Sequence, residues 1–288
     1  MGRRHHPCPI RDMMGPTRHP DTRPAHRMRT VKRPVRFGTM RTLSALILRE
    51  MTASYGRSPG GYLWALAEPV LGIALLSAIF SVGFRSPLLG TNFPMFYATG
   101  LLPFLMFSDL SSKTAQAINY SKQLLAYPRV TFVDAILSRF FLNFLTQLLV
   151  GAIVLVGIIL IFDTRTTFEA GKILSALAMA GALGLGIGTF NCFLMSMFPI
   201  WQRVYSILTR PLLLVSAVIF TLESIPEPYR SWLWYNPLVH IVGLLRAGFY
   251  HSYDAAYAMP IYVYSIAAGS GLLGLLFLRR YHRDILEL

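Results

Sequence analysis

The chain has 288 residues, of which 54% are hydrophobic and only 14% are charged. Because a soluble domain carries about 25% charged residues, this composition excludes an ordinary soluble protein and predicts an all-α polytopic membrane protein. The net charge of +14 suggests a nucleic-acid partner, but ten of the lysines and arginines precede residue 37. A basic segment before a first membrane span is typical of the cytoplasmic side, so no nucleic-acid partner is expected.

Two segments precede the first long apolar stretch. Residues 1–36 combine their positive charge with six prolines and almost no apolar clusters, which predicts a disordered basic tail. In residues 37–55, four apolar residues recur at helical spacing: Leu43, Leu46, Ile47 and Met51. Arg49 and Glu50 lie off this stripe. The pattern is too short to span a membrane and predicts an amphipathic helix in the cytoplasmic headgroup layer, with a packed soluble helix as the alternative.

Six segments approach the length of about 20 apolar residues that a transmembrane helix needs. They are residues 62–84, 93–112, 141–162, 173–198, 204–222 and 260–278. An even number of spans places both termini on the same side. The segments on that side hold twenty-one lysines and arginines, against five in the opposite loops. The positive-inside rule therefore predicts that both termini are cytoplasmic.

Two further patterns bear on how these spans are arranged. Ala180, Gly184 and Gly188 lie four residues apart in the fourth span, and this spacing predicts close helix packing rather than a nucleotide-binding loop. Residues 223–259 are broken by prolines and are too apolar for a simple loop. They predict a re-entrant pair of short helices before the last span, because backbone inside a membrane must be satisfied by protein.

The start of the first span carries the most distinctive sequence. Residues 56–70 read GRSPGGYLWALAEPV, in which proline and glycine break any preceding helix and the aromatic residues favour the membrane–water boundary. Glu68 and Pro69 lie just inside the span, where a purely structural span would hold neither. This stretch and LLAYPRV at residues 124–130 resemble the membrane subunits of ABC-2 type exporters, and among these the inner-membrane permeases of capsular polysaccharide export.

The resemblance implies an ABC-2 type transmembrane domain over residues 37–283, located as a multi-pass protein in a bacterial inner membrane. The sequence has no GxxxxGK[ST] motif, so the chain is not expected to be an enzyme. ATP hydrolysis is expected in two copies of a separate ATP-binding cassette subunit, beside a homodimer of this chain. Catalytic residues, cofactors and metal ions are not expected. Membrane lipid and export proteins of the periplasm or outer membrane are further partners that the resemblance allows.

The cytoplasmic loop between the second and third spans is the predicted coupling element. Residues 114–126 have the pattern of a short helix, which Tyr127 and Pro128 end because the residue before a proline resists helical geometry. In the resembled family this loop docks on the ATPase; a helix that only covers its own bundle is the alternative. The candidate coupling residues are Leu124, Leu125, Tyr127, Pro128 and Arg129.

Aromatic rings and isolated charges are the candidates for a polysaccharide conduit. Sugars stack their C–H faces on aromatic rings, and a charge at the centre of a span costs about 2.5–3.5 kcal/mol on insertion scales. Glu68, Asp109, Arg139 and Arg210 lie in or near spans, and Glu68 and Arg210 are on the two spans that line the path in the resembled family. The alternatives are an interfacial aromatic belt and arginines that snorkel to the cytoplasmic face. The conduit candidates are Tyr62, Trp64, Glu68, Arg210, Trp232, Trp234 and Tyr235.

The function expected from the resemblance is export of capsular or a related cell-surface polysaccharide, driven by the separate ATPase. Permeases for lipid-linked O-antigen or teichoic acid share this plan and are the main alternative, and drug efflux is a more distant one. A membrane-embedded transferase would need a cluster of His, Asp or Glu at the membrane face, and the sequence shows none.

Overall fold

The computed structural model describes residues 2, 44–51, 61–125, 131–162, 164 and 166–287, with the side chains of 61–62, 122–125 and 282–287 left out. Within these residues every regular element is helical. The helices are α1 (residues 44–51), α2 (Gly61–Gly83), α3 (Phe93–Ala115), α4 (Ala117–Leu125), α5 (Phe132–Ile161), α6 (Ala170–Met197), α7 (Trp201–Val215), α8 (Tyr229–Trp234), α9 (Pro237–Phe249) and α10 (Pro260–Glu287), with a 3-10 turn at Leu222–Ser224. The predicted basic tail lies outside the described residues except for Gly2.

Five of the described helices are long and apolar enough to cross a membrane. Their spanning parts are Leu63–Gly83, Phe93–Ala115, Phe132–Ile161, Ala170–Met197 and Pro260–Tyr281. These ranges coincide with the first, second, third, fourth and sixth predicted segments. The predicted all-helical character is therefore confirmed for the described residues, and five of the six predicted segments form helices of spanning length.

The predicted fifth span is not among the five. Helix α7 has 15 residues, which at 1.5 Å per residue is about 22 Å, shorter than the roughly 30 Å of hydrocarbon in a bilayer. The helix runs through Pro211 and ends at Val215, and Ala217 then has a positive φ of 55°. Because a left-handed conformation cannot continue a helix, the apolar residues 216–222 form turns instead of completing a span.

Helix α6 is the central packing element, and its small residues allow its neighbours to approach closely. A Cβ atom on Gly184 would lie 2.8 Å from Cβ of Leu110 in α3. A Cβ atom on Gly186 would lie 2.1 Å from the backbone oxygen of Ala267 in α10. A Cβ atom on Gly188 would lie 2.7 Å from Cβ of Thr114 in α3. The packing role predicted for Gly184 and Gly188 is therefore confirmed, and Gly186 adds a close contact that was not predicted.

Helix α5 begins nine residues before the predicted third span. Thr131 caps it, because its hydroxyl oxygen accepts a hydrogen bond from the backbone N–H of Asp134 at 3.2 Å. The Asp134 carboxylate in turn accepts from the Thr131 backbone N–H at 3.1 Å. This reciprocal capping box satisfies two terminal donors and extends the helix toward the loop that contains α4.

Helix α1 forms within the segment predicted to be amphipathic, but its packed face differs from the predicted stripe. Leu46 is buried, whereas Met51, which belonged to the predicted apolar face, is exposed. Glu50 was expected to lie off the packed face, yet only 13% of its side chain is exposed. The reason is an ion pair with Arg139, which draws the carboxylate inward.

The segment before the last span contains two short helices, as the sequence predicts. Helix α8 has six residues and α9 has 13, and Asn236 caps α9 by accepting a hydrogen bond from the backbone N–H of Leu238 at 3.0 Å. Their placement as a re-entrant pair stays a prediction.

Candidate functional site: polar cavities along helix α3

A cavity of about 330 Å³ with polar and apolar walls lies between helices α2, α3 and α5. Its lining includes Trp64, Glu68, Ser108, Asp109, Ser112, Lys113, Thr146 and Gln147, and we call it the carboxylate cavity. The Asp109 carboxylate accepts hydrogen bonds from the Lys113 ammonium at 2.7 Å and from the Gln147 amide at 2.6 Å. These two donors fix the position of the Asp109 carboxylate. The Glu68 side chain, by contrast, is exposed.

A second, more open cavity of about 440 Å³ lies between α3, α7 and the end of α6. Its polar lining is formed by Ser108, Ser112, Gln116, Gln202, Tyr205, Ser206, Thr209 and Arg210, and we call it the arginine groove. The Tyr205 hydroxyl donates to the buried hydroxyl of Ser111 on α3 at 2.8 Å. This bond fixes the inner face of α7, and Arg210 is exposed one turn further along the same helix.

The two cavities meet along one face of α3. Ser108 and Ser112, one turn apart, line both of them. Glu68 therefore lies on one side of this face and Arg210 on the other. Among the ion pairs formed by described residues, none joins these two charges. Hydroxyl, amide and charged groups therefore follow one another along this face. Such groups can replace the hydrogen bonds that a hydroxyl-rich solute makes to water.

The aromatic candidates divide into exposed and packed residues. Trp64 is 70% exposed at the carboxylate cavity, and Trp232 and Tyr235 are similarly exposed on and after α8. Trp234 is packed instead: its ring stacks on Tyr262 at 5.4 Å and meets His240 edge-on at 5.1 Å. These contacts give Trp234 a structural role in the interior of the α8–α9 region. The side chain of Tyr62 lies outside the described residues.

The predicted coupling loop contains helix α4, which begins at Ala117 and ends at Leu125. The apolar face of α4 packs on the bundle through Ile118, which is buried beside Ile136 and Cys192. Tyr120 on the same helix is exposed. Of the candidate coupling residues, Leu124 and Leu125 are in α4 without described side chains, and Tyr127, Pro128 and Arg129 lie outside the described residues.

Arg139 was expected either to face a partner or to snorkel, and it has a partner. Its Nε donates to the Glu50 carboxylate at 2.7 Å, and only 8% of its side chain is exposed. The guanidinium also lies over the Tyr120 ring, with 4.0 Å from its central carbon to the ring centroid. An ion pair and a cation–π contact together offset the cost of burying this charge.

Among the charged residues that the structure describes, Arg246 in α9 is the most deeply buried, with 1% of its surface exposed. Its two terminal nitrogens donate to the backbone oxygens of Phe220 and Val218, both at 2.7 Å, and it lies over the Phe96 ring at 4.3 Å. These two carbonyl groups belong to the turns that follow α7. Arg246 thus satisfies the non-helical backbone that replaces the end of the predicted fifth span.

Glu223, in the 3-10 turn that follows these turns, accepts a hydrogen bond from a tyrosine. The Tyr253 hydroxyl donates to the Glu223 carboxylate, with 3.0 Å between the closer pair of oxygens, and lies 3.0 Å from the Tyr257 hydroxyl. Burial raises the pKa of Tyr253, and the neighbouring Tyr257 and Glu223 add to the rise. The phenol therefore remains a neutral donor to Glu223 over the physiological range of pH.

Three of the polar residues at these sites were not singled out from the sequence. Lys113 carried a local signal, because it lies four residues after Asp109 on a helix, where opposite charges face each other. Gln147 carried none, since its partner is 38 positions away, and Arg246 carried only the signal of a charge within an apolar segment, with no indication of its partners 26 and 28 positions away.

The sequence matches the ABC-2 type transporter family over residues 41–250. The polysialic acid transport protein KpsM of Escherichia coli is 34% identical over 208 residues, covering 71% of this chain and 80% of KpsM. The capsule polysaccharide export inner-membrane protein CtrC of Neisseria meningitidis is 22% identical over 85% of this chain and 92% of its own. BexB of Haemophilus influenzae, another capsule polysaccharide export inner-membrane protein, is 21% identical with the same coverage. The chain belongs to the ABC-2 type transporter family.

Proposed function

We propose that the chain is the permease subunit of an ATP-binding cassette exporter that moves capsular or a related cell-surface polysaccharide across the bacterial inner membrane. The observation that carries this proposal is the pair of cavities along α3 with hydroxyl, amide and charged residues in their walls, in a family member whose relatives include named capsule export proteins. In the proposal, Glu68 and Trp64 act on one side of the α3 face and Arg210 on the other.

Two copies of the chain enclose the conduit. The support is that α2 and α7, which carry Glu68 and Arg210, are the least packed of the long helices: no residue of α7 is buried, and few of α2 are. Helices with unpacked faces inside a membrane require either lipid or another protein beside them. A symmetric dimer built on these helices would bring four charged residues to one axis.

A separate ATPase supplies the energy and docks at the cytoplasmic loop that contains α4. Leu124 and Leu125 at the end of α4 and the following residues Tyr127, Pro128 and Arg129 form the docking surface in this proposal. Both termini are then cytoplasmic, because the positively charged segments lie on the α4 side of the membrane.

The test uses inverted inner-membrane vesicles that contain the full chain and its cognate ATP-binding cassette ATPase. Lipid-linked polysialic acid is the first probe, because the relative KpsM is named for its transport. We expect ATP-dependent accumulation inside the vesicles, and none with a non-hydrolysable ATP analogue. A lipid-linked O-antigen oligosaccharide is the competing probe.

Uptake of the O-antigen probe but of no capsular polysaccharide would replace the proposal with the O-antigen alternative. Lack of ATP-dependent uptake for every glycan, in vesicles where the ATPase remains bound to the chain, would contradict polysaccharide export altogether.

A further inference from the structure

The contacts of the buried Arg139 with Glu50 and with the exposed Tyr120 ring join three separate elements at one guanidinium. Glu50 belongs to α1, Tyr120 to α4 and Arg139 to the third turn of α5. The Nε–Oε1 distance is 2.7 Å and the guanidinium lies 4.0 Å from the centre of the Tyr120 ring. Since Arg139 touches both neighbours, neither α1 nor α4 can move relative to α5 without changing a contact of this side chain.

We propose that Arg139 is the coupling joint of the permease, a positioning residue that converts movement of α4 into movement of α5. This inference rests on the proposed function, in which α4 receives the push of the ATPase. Two observations support a residue that transmits movement rather than one that only stabilises the contact. One concerns the guanidinium and the other concerns α5.

At the guanidinium, the pairing is incomplete. Arg139 uses Nε toward Glu50, while its Nη1 is buried without a hydrogen-bond partner within the described part of the chain. Nη1 points away from the edge that Nε presents to Glu50, so it would gain a carboxylate partner if the guanidinium turned to bind Glu50 end-on through both terminal nitrogens. An unpaired buried donor is costly, so the present contact leaves the guanidinium incompletely satisfied.

Along α5, the joint is linked directly to the carboxylate cavity. Gln147 follows Arg139 by eight residues, which is about 12 Å along a helix. Its amide donates to Asp109 at 2.6 Å, and both residues line the cavity. A shift or rotation of α5 at Arg139 therefore reaches the hydrogen bond that fixes Asp109.

The experiment measures two quantities in the same vesicles: ATP hydrolysis and glycan exported per ATP. Arg139→Met removes both contacts of the joint while keeping a long side chain. We expect it to retain the bound ATPase and its hydrolysis within twofold, and to export at least tenfold less glycan per ATP. Tyr120→Leu removes only the ring under the guanidinium, leaves no buried charge unpaired, and should lower export per ATP several-fold.

The charge swap Glu50→Arg with Arg139→Glu tests the α1–α5 half of the joint separately from its contact with α4. It restores an ion pair between α1 and α5 but not the contact with Tyr120, so export per ATP should recover to about the level of Tyr120→Leu, while each single reversal stays lower. The matched control is Lys172→Met, which removes one partner of a half-exposed ion pair with Glu169 at 2.9 Å and should change nothing.

Unchanged export per ATP in Arg139→Met or in Tyr120→Leu would overturn the joint, and so would a swap no better than the single reversals in equally abundant protein. If Arg139→Met is not produced in folded form, Tyr120→Leu alone decides. Loss of the ATPase from the unaltered chain is a different result, because it contradicts docking and hence the proposed function instead of the joint.

Discussion

Replacing Arg246 with methionine should loosen the end of α7 and the turns that follow it. The substitution keeps the length and apolar stem of the side chain but removes both donors to the backbone oxygens of Val218 and Phe220. These oxygens then remain buried without their donors, in a part of the chain with no regular hydrogen-bond ladder of its own. Buried carbonyl groups without a donor favour local opening of the segment, because water can then hydrogen-bond to them.

The size of the effect follows from the contacts. A hydrogen bond to a charged group contributes about 1.5–3 kcal/mol, so the two bonds represent about 3–6 kcal/mol. Removing the buried charge also removes its desolvation penalty, which offsets part of this loss. We expect a net loss of about 3 kcal/mol, or roughly a 100-fold larger population of the locally opened state.

Hydrogen–deuterium exchange of the purified protein in lipid nanodiscs measures this opening. The amides of Ser224 and Ile225, which bond to the backbone oxygens of Thr221 and Leu222, and those closing the last turn of α7 should exchange about 100-fold faster. Arg246→Lys retains a charge but presents no planar fork to reach both oxygens, so its exchange should be intermediate.

Arg203→Met is the matched control, because Arg203 is exposed at the opposite end of α7. It should leave exchange near Val215 unchanged. Exchange that rises less than tenfold in Arg246→Met, with the rest of the protein exchanging as before, would refute the role given to this arginine.

Three further predictions test other parts of the structure. Gly186→Ala should lower the free energy of unfolding by at least about 1–3 kcal/mol, because the added Cβ would lie 2.1 Å from the Ala267 oxygen. The measurement is the melting temperature in detergent, which should fall. Above about pH 10 the melting temperature should fall, because the pKa of Tyr253 is raised in the folded chain and only the unfolded chain then releases this proton. Tyr253→Phe should reduce this fall. With both native cysteines replaced, cysteines at Glu68 and Arg210 should react with a membrane-impermeant thiol reagent, and nucleotide should change the labelling of both.

Each of these predictions has a control in the same chain. Gly171→Ala places its Cβ in open space and should leave the melting temperature unchanged. Tyr229→Phe alters an exposed phenol and should not change the alkaline fall. Val82→Cys, at a highly exposed apolar position of α2, should resist the impermeant reagent in lipid. Equal effects in a variant and its control would contradict the corresponding prediction.

The apolar stretches determine most of the membrane architecture by themselves. Five of the six predicted spans form helices of spanning length, and the small residues of the fourth span pack against α3 and α10. Both results follow from local properties: hydropathy over about 20 residues determines which segments can lie in lipid, and the absence of side chains at Gly184 and Gly186 determines where helices approach.

The fifth span shows what a local pattern cannot decide. Residues 204–222 are apolar enough to continue a helix, but the chain turns after Val215, and its freed carbonyl groups are bound by Arg246 from α9. In hydrocarbon a helix is otherwise the default, because it satisfies its own backbone. Only the tertiary position of a donor far along the chain makes another conformation favourable.

The same limit applies to the candidate sites. Glu68 and Arg210 were identifiable as charges within apolar segments, and Asp109 with Lys113 as a helical pair. The tertiary structure alone determines that Gln147 binds Asp109 across 38 positions and that Glu50 meets Arg139 across 89. A charge or an amide has no sequence signature for its partner, because the partner is selected by which helices pack together and by the need to pair buried polar groups.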